Sequence, residues 1–153
     1  MKNTNEMEIR FDSVSVNEGF ARVAVAAFLT QLNPTVEEVS DVKTAVSEAV
    51  TNAIIHGYEN QVHTVRIKCI INMEEKSMEL AVSDDGAGIA DVAKAMEPMF
   101  TTKPELERSG MGFAFMEAFM DELSVESEEG KGTTVKMKKL IGKGRKLWTT
   151  QSL

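Results

Sequence analysis

The feature that most constrains this chain is a long helical repeat in its first half. From Thr35 to Gly57, Val39, Val42, Val46, Ala49 and Ala53 recur every three or four positions, the spacing of one apolar face on a 3.6-residue helix. Thr35-x-x-Glu38 opens the run as a capping box, in which each side chain satisfies a free N–H group of the first turn. Period-2 segments flank this helix. On the N-terminal side, Met7, Ile9 and Phe11 alternate with Glu6, Glu8 and Arg10, predicting a half-buried strand. A second capping box, Ser15-x-x-Glu18, then leads into Phe20, Val23, Ala27 and Leu29 at near-helical spacing, and Asn33-Pro34 ends that helix.

On the C-terminal side, Val65, Ile67, Cys69 and Ile71 predict a strand, Glu74-Glu75-Lys76 a turn, and Met78, Leu80 and Val82 its hairpin partner. A glycine-rich corner follows at Asp84–Gly88. The stretch Met99–Met111 has no period. Gly112–Leu123 reads as an apolar helix, and Ser124–Glu128 with Thr133–Leu140 as a last hairpin around Gly130-Lys131-Gly132. A strand, two helices, a hairpin, a loop, a helix and a hairpin do not make a βαβ alternation. They predict a two-layer α/β (α+β) sandwich, with a mixed, mainly antiparallel sheet and helices on one face.

The chain has 153 residues, which predicts one domain, here residues 1–141, followed by a flexible basic tail over 142–153. Its 17 Lys+Arg against 24 Asp+Glu leave a net charge of −7. That balance argues against generic nucleic-acid or anionic-membrane binding. The single cysteine, Cys69, excludes an internal disulfide framework and a CxxC zinc site. The start lacks the apolar core of a secretory signal, so the chain reads as cytoplasmic.

Four segments carry polar chemistry. Glu48, Asn52 and His56 stand at i, i+4 and i+8, one stripe of the long helix. The stripe is either a solvated face or the wall of a cleft, and the small apolar residues around it favour the cleft. Asp84-x-Gly86-x-Gly88, directly after a strand, is either a plain tight turn or a place where a planar ligand approaches the backbone while Asp84 accepts its hydrogen bonds. Phe100-Thr101-Thr102-Lys103 and Arg108-Ser109-Gly110-Met111-Gly112 precede a helix, where free N–H groups and the helix dipole suit an anion. Gly132-Thr133-Thr134 enters the final strand. No G-x-x-x-x-G-K-[ST] loop is present, which excludes that ATPase class.

In this fixed order the E-x-x-x-N helix, D-x-G-x-G, F-T-T-K, G-x-G and G-T-T resemble the nucleotide-binding domain of the gyrase, Hsp90, histidine kinase and MutL ATPase superfamily. Ser47–Tyr58, Phe100–Phe113 and Asn17–Arg22 further resemble the sporulation anti-sigma factors, serine kinases within that superfamily. The resemblance implies a Bergerat-type fold that binds ATP or ADP with Mg²⁺. Asp84 would then accept the adenine amine, Gly86 and Gly88 would make room for the base, and Thr133 would support the same edge. Asn52 would supply an oxygen to the metal. Thr101, Lys103, Arg108, Ser109, Gly110, Met111 and Gly112 would be the lid's phosphate contacts. Glu48 would be the catalytic base, and Arg22 part of the partner-docking face.

The implied partners are a sigma factor, an anti-anti-sigma factor phosphorylated on serine, and a second copy of the chain, with no nucleic acid or membrane. An alternative is a non-catalytic nucleotide-gated sigma-binding module. A sensor histidine kinase would need a phosphoacceptor helix, and the only histidines are His56 and His63.

Overall fold

The structure is a computed structural model and describes residues 3–97 and 112–143. Strand β1 (Thr4–Asp12) precedes helices α1 (Val16–Leu29) and α2 (Val36–Asn52). The hairpin β2 (Thr64–Asn72) and β3 (Ser77–Asp84) follows, then the short α3 (Val92–Ala95), α4 (Gly112–Phe119), and the hairpin β4 (Glu122–Glu128) and β5 (Gly132–Leu140). The strands lie in the order β1-β2-β3-β5-β4, and every pairing between them is antiparallel. The predicted sandwich therefore forms with a sheet whose neighbours are all antiparallel. β3 and β4 run the same way, but β5 lies between them.

Register puts one apolar face together. Ile67 stands opposite Ile9 and Val82, Cys69 opposite Met7 and Leu80, and Met137 opposite Leu80 and Leu123. Val65, Ile67, Cys69 and Ile71 are fully buried beneath the helices. Each of the Val and Ile side chains contributes about 1.5–3 kcal/mol. The opposite positions, such as Glu8, Lys68 and Lys136, are exposed, so the helices cover one face only. Val42, Ala45, Val46, Ala49 and Val50 of α2 are buried, between α1 and α4 and against the sheet. Among the described residues no helix is long and apolar enough to cross a membrane.

The capping box of α2 forms as expected: Thr35 N–H donates to Glu38 Oε1 at 2.8 Å, and Glu38 N–H to Thr35 Oγ1 at 3.1 Å. The one predicted at Ser15 does not. Ser15 already has helical dihedrals and its side chain makes no cap bond, while the Glu18 carboxylate turns to Arg22 at 3.4 Å.

The inward face of α1 also differs from expectation. Ala21, Val25 and Leu29 are buried, whereas Phe20 and Val23 are 53% and 62% exposed. Nearly every position from Ala21 to Leu29 is apolar, so periodicity alone does not choose a face.

The last helix stops at Phe119 rather than Leu123, and β4 begins at Glu122. Asp121 breaks the helix by joining the sheet: its N–H donates to Lys138 O at 2.9 Å and its carboxylate accepts Leu140 N–H at 2.8 Å. Leu123 then pairs with Met137 as a strand residue. The short α3, capped by Asp91 accepting Lys94 N–H at 3.1 Å, is too brief to show a period. Met116 and Met120 are core residues.

Candidate active site

α2 does not end as an α-helix. After Asn52 it widens into a π-helical turn, Ala53–Gly57, in which Tyr58 N–H reaches back to Ala53 O at 2.9 Å. Such turns recur at functional sites. This one delivers the Gly57 carbonyl to the N–H of Ala87 at 2.7 Å, tying the helix end to the glycine-rich corner after β3.

Asp84 ends β3 opposite Thr133 of β5 and is only 7% exposed. Its carboxylate accepts the backbone N–H groups of Gly86, at 2.9 Å, and Thr133. Burial nevertheless raises its pKa above the usual carboxylate value, against the opposing effect of those two bonds. The glycines are sterically required. A side chain at Gly86 would run into the Gly57 carbonyl, and Gly132, with φ +111°, would drive one into the backbone of Asp84.

Asp84 lines a cavity of about 400 Å³, together with Asn52, Ala53, His56, Gly88 and Thr133. Ala49, Val82, Ile89, Phe113 and Val135 make much of its wall apolar. This is the size and character of a small-molecule site: an apolar slot with a few placed polar groups. At its edge a side chain on Gly112, the first residue of α4, would lie 3.3 Å from both amide atoms of Asn52 and 3.4 Å from Glu48 Oε2. Glu48 and Asn52, one turn apart on α2, therefore converge on one point at the start of α4.

Most of the described sequence candidates thus meet. Asn52, Asp84, Gly88, Gly112 and Thr133 line the cavity, and Glu48 stands beside them. Gly86 acts from behind, holding Asp84 while facing a separate hollow lined by Tyr58 and His63. Arg22 is elsewhere, in a groove of about 510 Å³ that also holds Val36 and Lys43. Thr101, Lys103, Arg108, Ser109, Gly110 and Met111 lie outside the described residues.

Two supporting residues were not anticipated. Tyr58, 6% exposed, donates to Thr64 O at 2.6 Å and accepts Asp85 N–H at 2.7 Å; desolvation pushes its pKa up. Ser127 accepts Ile89 N–H at 2.7 Å and contacts Thr133 Oγ1 at 2.8 Å. Its signal was present in the sequence, because β4 alternates and Ser127 falls on the inward side with Leu123 and Val125. Asp85 forms a two-pronged pair with Arg66 at 2.7 and 3.1 Å, which holds its carboxyl below the usual value.

No group of three or more His, Cys, Asp or Glu suited to a metal occurs among the described residues. Asn52 brings one side-chain oxygen to the cavity, a donor that fits a cation drawing its other oxygens from phosphate and water, as Mg²⁺ does.

A one-faced antiparallel sheet, a long helix carrying paired polar residues and a buried acidic corner define a class. The family model for the histidine kinase-like ATPase domain matches residues 12–139. In fold the chain is similar to the RsbU and RsbW domains of Rv1364c from Mycobacterium tuberculosis, with TM-score 0.64 and 18% identity over 90% of this chain and 32% of that one. It is also similar to the blue-light activated histidine kinase of Erythrobacter litoralis, with TM-score 0.54 and 18% identity over 85% of this chain and 64% of that one.

In sequence it is 58% identical to the anti-sigma F factor of Thermoanaerobacter sp. (strain X514), over 93% of this chain and 98% of the relative. To that of Clostridium botulinum (strain Eklund 17B) it is 59% identical over 88% and 94%, and to that of Geobacillus thermodenitrificans 56% over 94% and 97%. The chain belongs to the histidine kinase-like ATPase family and, within it, to the anti-sigma F factors. Nucleotide binding goes with the ATPase domain.

Proposed function

We propose that this chain binds and inhibits a sporulation sigma factor in the cytoplasm and is an ATP-dependent serine kinase acting on that factor's antagonist. The observation that carries the catalytic half is the convergence of Glu48 and Asn52 at Gly112, beside a cavity whose floor is the buried Asp84. Asp84, acceptor-only when ionised, suits the exocyclic amine of adenine, and the small residues of α2 and the apolar walls suit a flat base. Asn52 offers one side-chain oxygen to Mg²⁺, which when bound neutralises phosphate charge.

Glu48 takes the proton of a serine hydroxyl on the partner as its oxygen attacks the γ-phosphorus. The bond from that phosphorus to the bridging oxygen breaks, and ADP leaves. The phosphoserine gains a charge of about −1.5 to −2, which disfavours rebinding to an acidic chain. Thr101, Lys103, Arg108, Ser109, Gly110, Met111 and Gly112 are assigned to the triphosphate. The active unit is a homodimer.

Incubation with [γ-³²P]ATP and the antagonist tests this directly: label moves to a serine of the antagonist. Nucleotide and sigma binding without transfer would instead leave a nucleotide-gated binding module. For docking, the half-exposed Arg22 and Lys43 put positive charge in a groove beside Val36, which is 87% exposed. Arg22→Ala is expected to weaken both partners, and unchanged affinity for both removes Arg22 from the docking face.

A further inference from the structure

We propose that Gly57 is a positioning residue for the nucleotide: its bare Cα is the seat that holds the Asp84 carboxylate where the base meets it. The inference rests on the nucleotide reading above and adds a residue to it. Built onto Gly57, a Cβ would stand 2.8 Å from Asp84 Cγ, 2.8 Å from Oδ1 and 2.9 Å from Oδ2. Three such nearly equal distances mean that the flat face of the carboxylate lies against the glycine. A carboxylate accepts hydrogen bonds near its own plane, so this cover takes none of its lone pairs. They serve Gly86 N–H at 2.9 Å and Thr133 N–H, and what remains faces the cavity that Asp84 and Gly57 both line.

The backbone does not call for glycine here. Gly57 has no left-handed φ, and it closes a π-helical turn, a helical setting in which alanine is ordinarily the more stable residue. What excludes a side chain is the carboxylate. The Gly57 carbonyl is anchored on Ala87 N–H at 2.7 Å and packed against Gly86, so the turn cannot back away. A methyl group on Gly57 instead turns the carboxylate off its two amides and out of line with the base.

The test is calorimetric titration with MgADP and thermal melting of the full chain, for wild type, Gly57→Ala, Asp84→Ser and the double variant. In Gly57→Ala the ADP dissociation constant should rise roughly tenfold or more, the loss expected from one hydrogen bond to a charged acceptor, with the stoichiometry unchanged. A merely structural role would lower the stoichiometry by the unfolded fraction and leave the dissociation constant of the folded remainder as in wild type. That result overturns the proposal. Melting decides it independently. Gly57→Ala should lower Tm in wild type but leave it level or raise it in Asp84→Ser, where the carboxylate is gone. An equal loss of Tm in both backgrounds overturns the proposal. Where Gly57→Ala alone does not fold, the double variant must fold and melt no lower than Asp84→Ser, or the proposal fails. Asp84→Ser that keeps wild-type ADP affinity removes the reading of Asp84 itself, and this inference with it, whereas wild-type affinity in Gly57→Ala removes the inference alone.

Discussion

The floor and the edge of the cavity are built on different principles. At the floor the chain from Asp85 to Ile89 is pinned by its own amides: Asp85 to Tyr58 Oη, Ala87 to Gly57 O and Ile89 to Ser127 Oγ, each at 2.7 Å, with Gly86 bonded to Asp84 at 2.9 Å. Gly130 N–H adds a further tie to Ala87 O at 2.7 Å. The edge rests instead on two side chains of a single helix, Glu48 and Asn52, meeting Gly112. A floor held by backbone bonds is organised before any ligand arrives, so little ordering cost remains at binding. In the proposed function the edge is where charge and protons would move. Recognition and chemistry are therefore separable by mutation.

The sharpest break between them is Glu48→Gln. Turnover should fall roughly 10²- to 10⁴-fold, the usual worth of a general base, while ADP affinity stays put; radiolabel transfer and calorimetry read the two halves. Retained phosphorylation would put the base elsewhere.

Asp84→Asn is the reciprocal change. The amide keeps an oxygen for Gly86 N–H but loses the charge, so ADP affinity should drop about tenfold to a hundredfold with the fold intact.

Acidification sharpens the same point through opposite signs. The folded-state pKa of Asp84 is raised by burial, so its protonation favours the native state, and the cost of the buried charge is lost as pH falls through that value. Any urea-measured stability advantage of Asp84→Asn over wild type should shrink on acidification. Wild-type ADP affinity should fall over the same range, because a protonated carboxyl no longer accepts at both oxygens.

Tyr58→Phe is the smallest change. It strips Asp85 N–H and Thr64 O of a partner, for about 1 kcal/mol of stability, with a modest loss of ADP affinity and turnover unchanged at saturation.

The placement of the candidate site residues was more legible than the packing. Glu48 and Asn52 are spaced by one helical turn on a segment whose other residues are small, so their shared direction follows from helix geometry. Asp84 was visible because a carboxylate closes an apolar strand. The inward face of α1 was not, since a helix apolar on nearly every side shows no period, and tertiary contact turns Val25 in and Val23 out. Ser15 was misread because a capping motif is a local option, and here the chain enters the helix already turned. Tyr58 was missed because it acts through backbone groups remote in sequence, which no motif spacing records, and Ser127 because the alternation of β4 gives its direction but not its partner at Ile89.

The π turn at Ala53–Gly57 has a consequence for how this chain tolerates change in length. Loss of one residue there would let α2 continue with ordinary pitch, and every later position would rotate by about 100° around the helix axis. Composition, hydropathy and the family motifs would hardly differ. Yet the Gly57 carbonyl would swing away from Ala87, and the floor would lose its tie to the helix bearing Glu48 and Asn52. The length of this turn is thus a coordinate in its own right, setting where the Gly57 carbonyl meets Ala87.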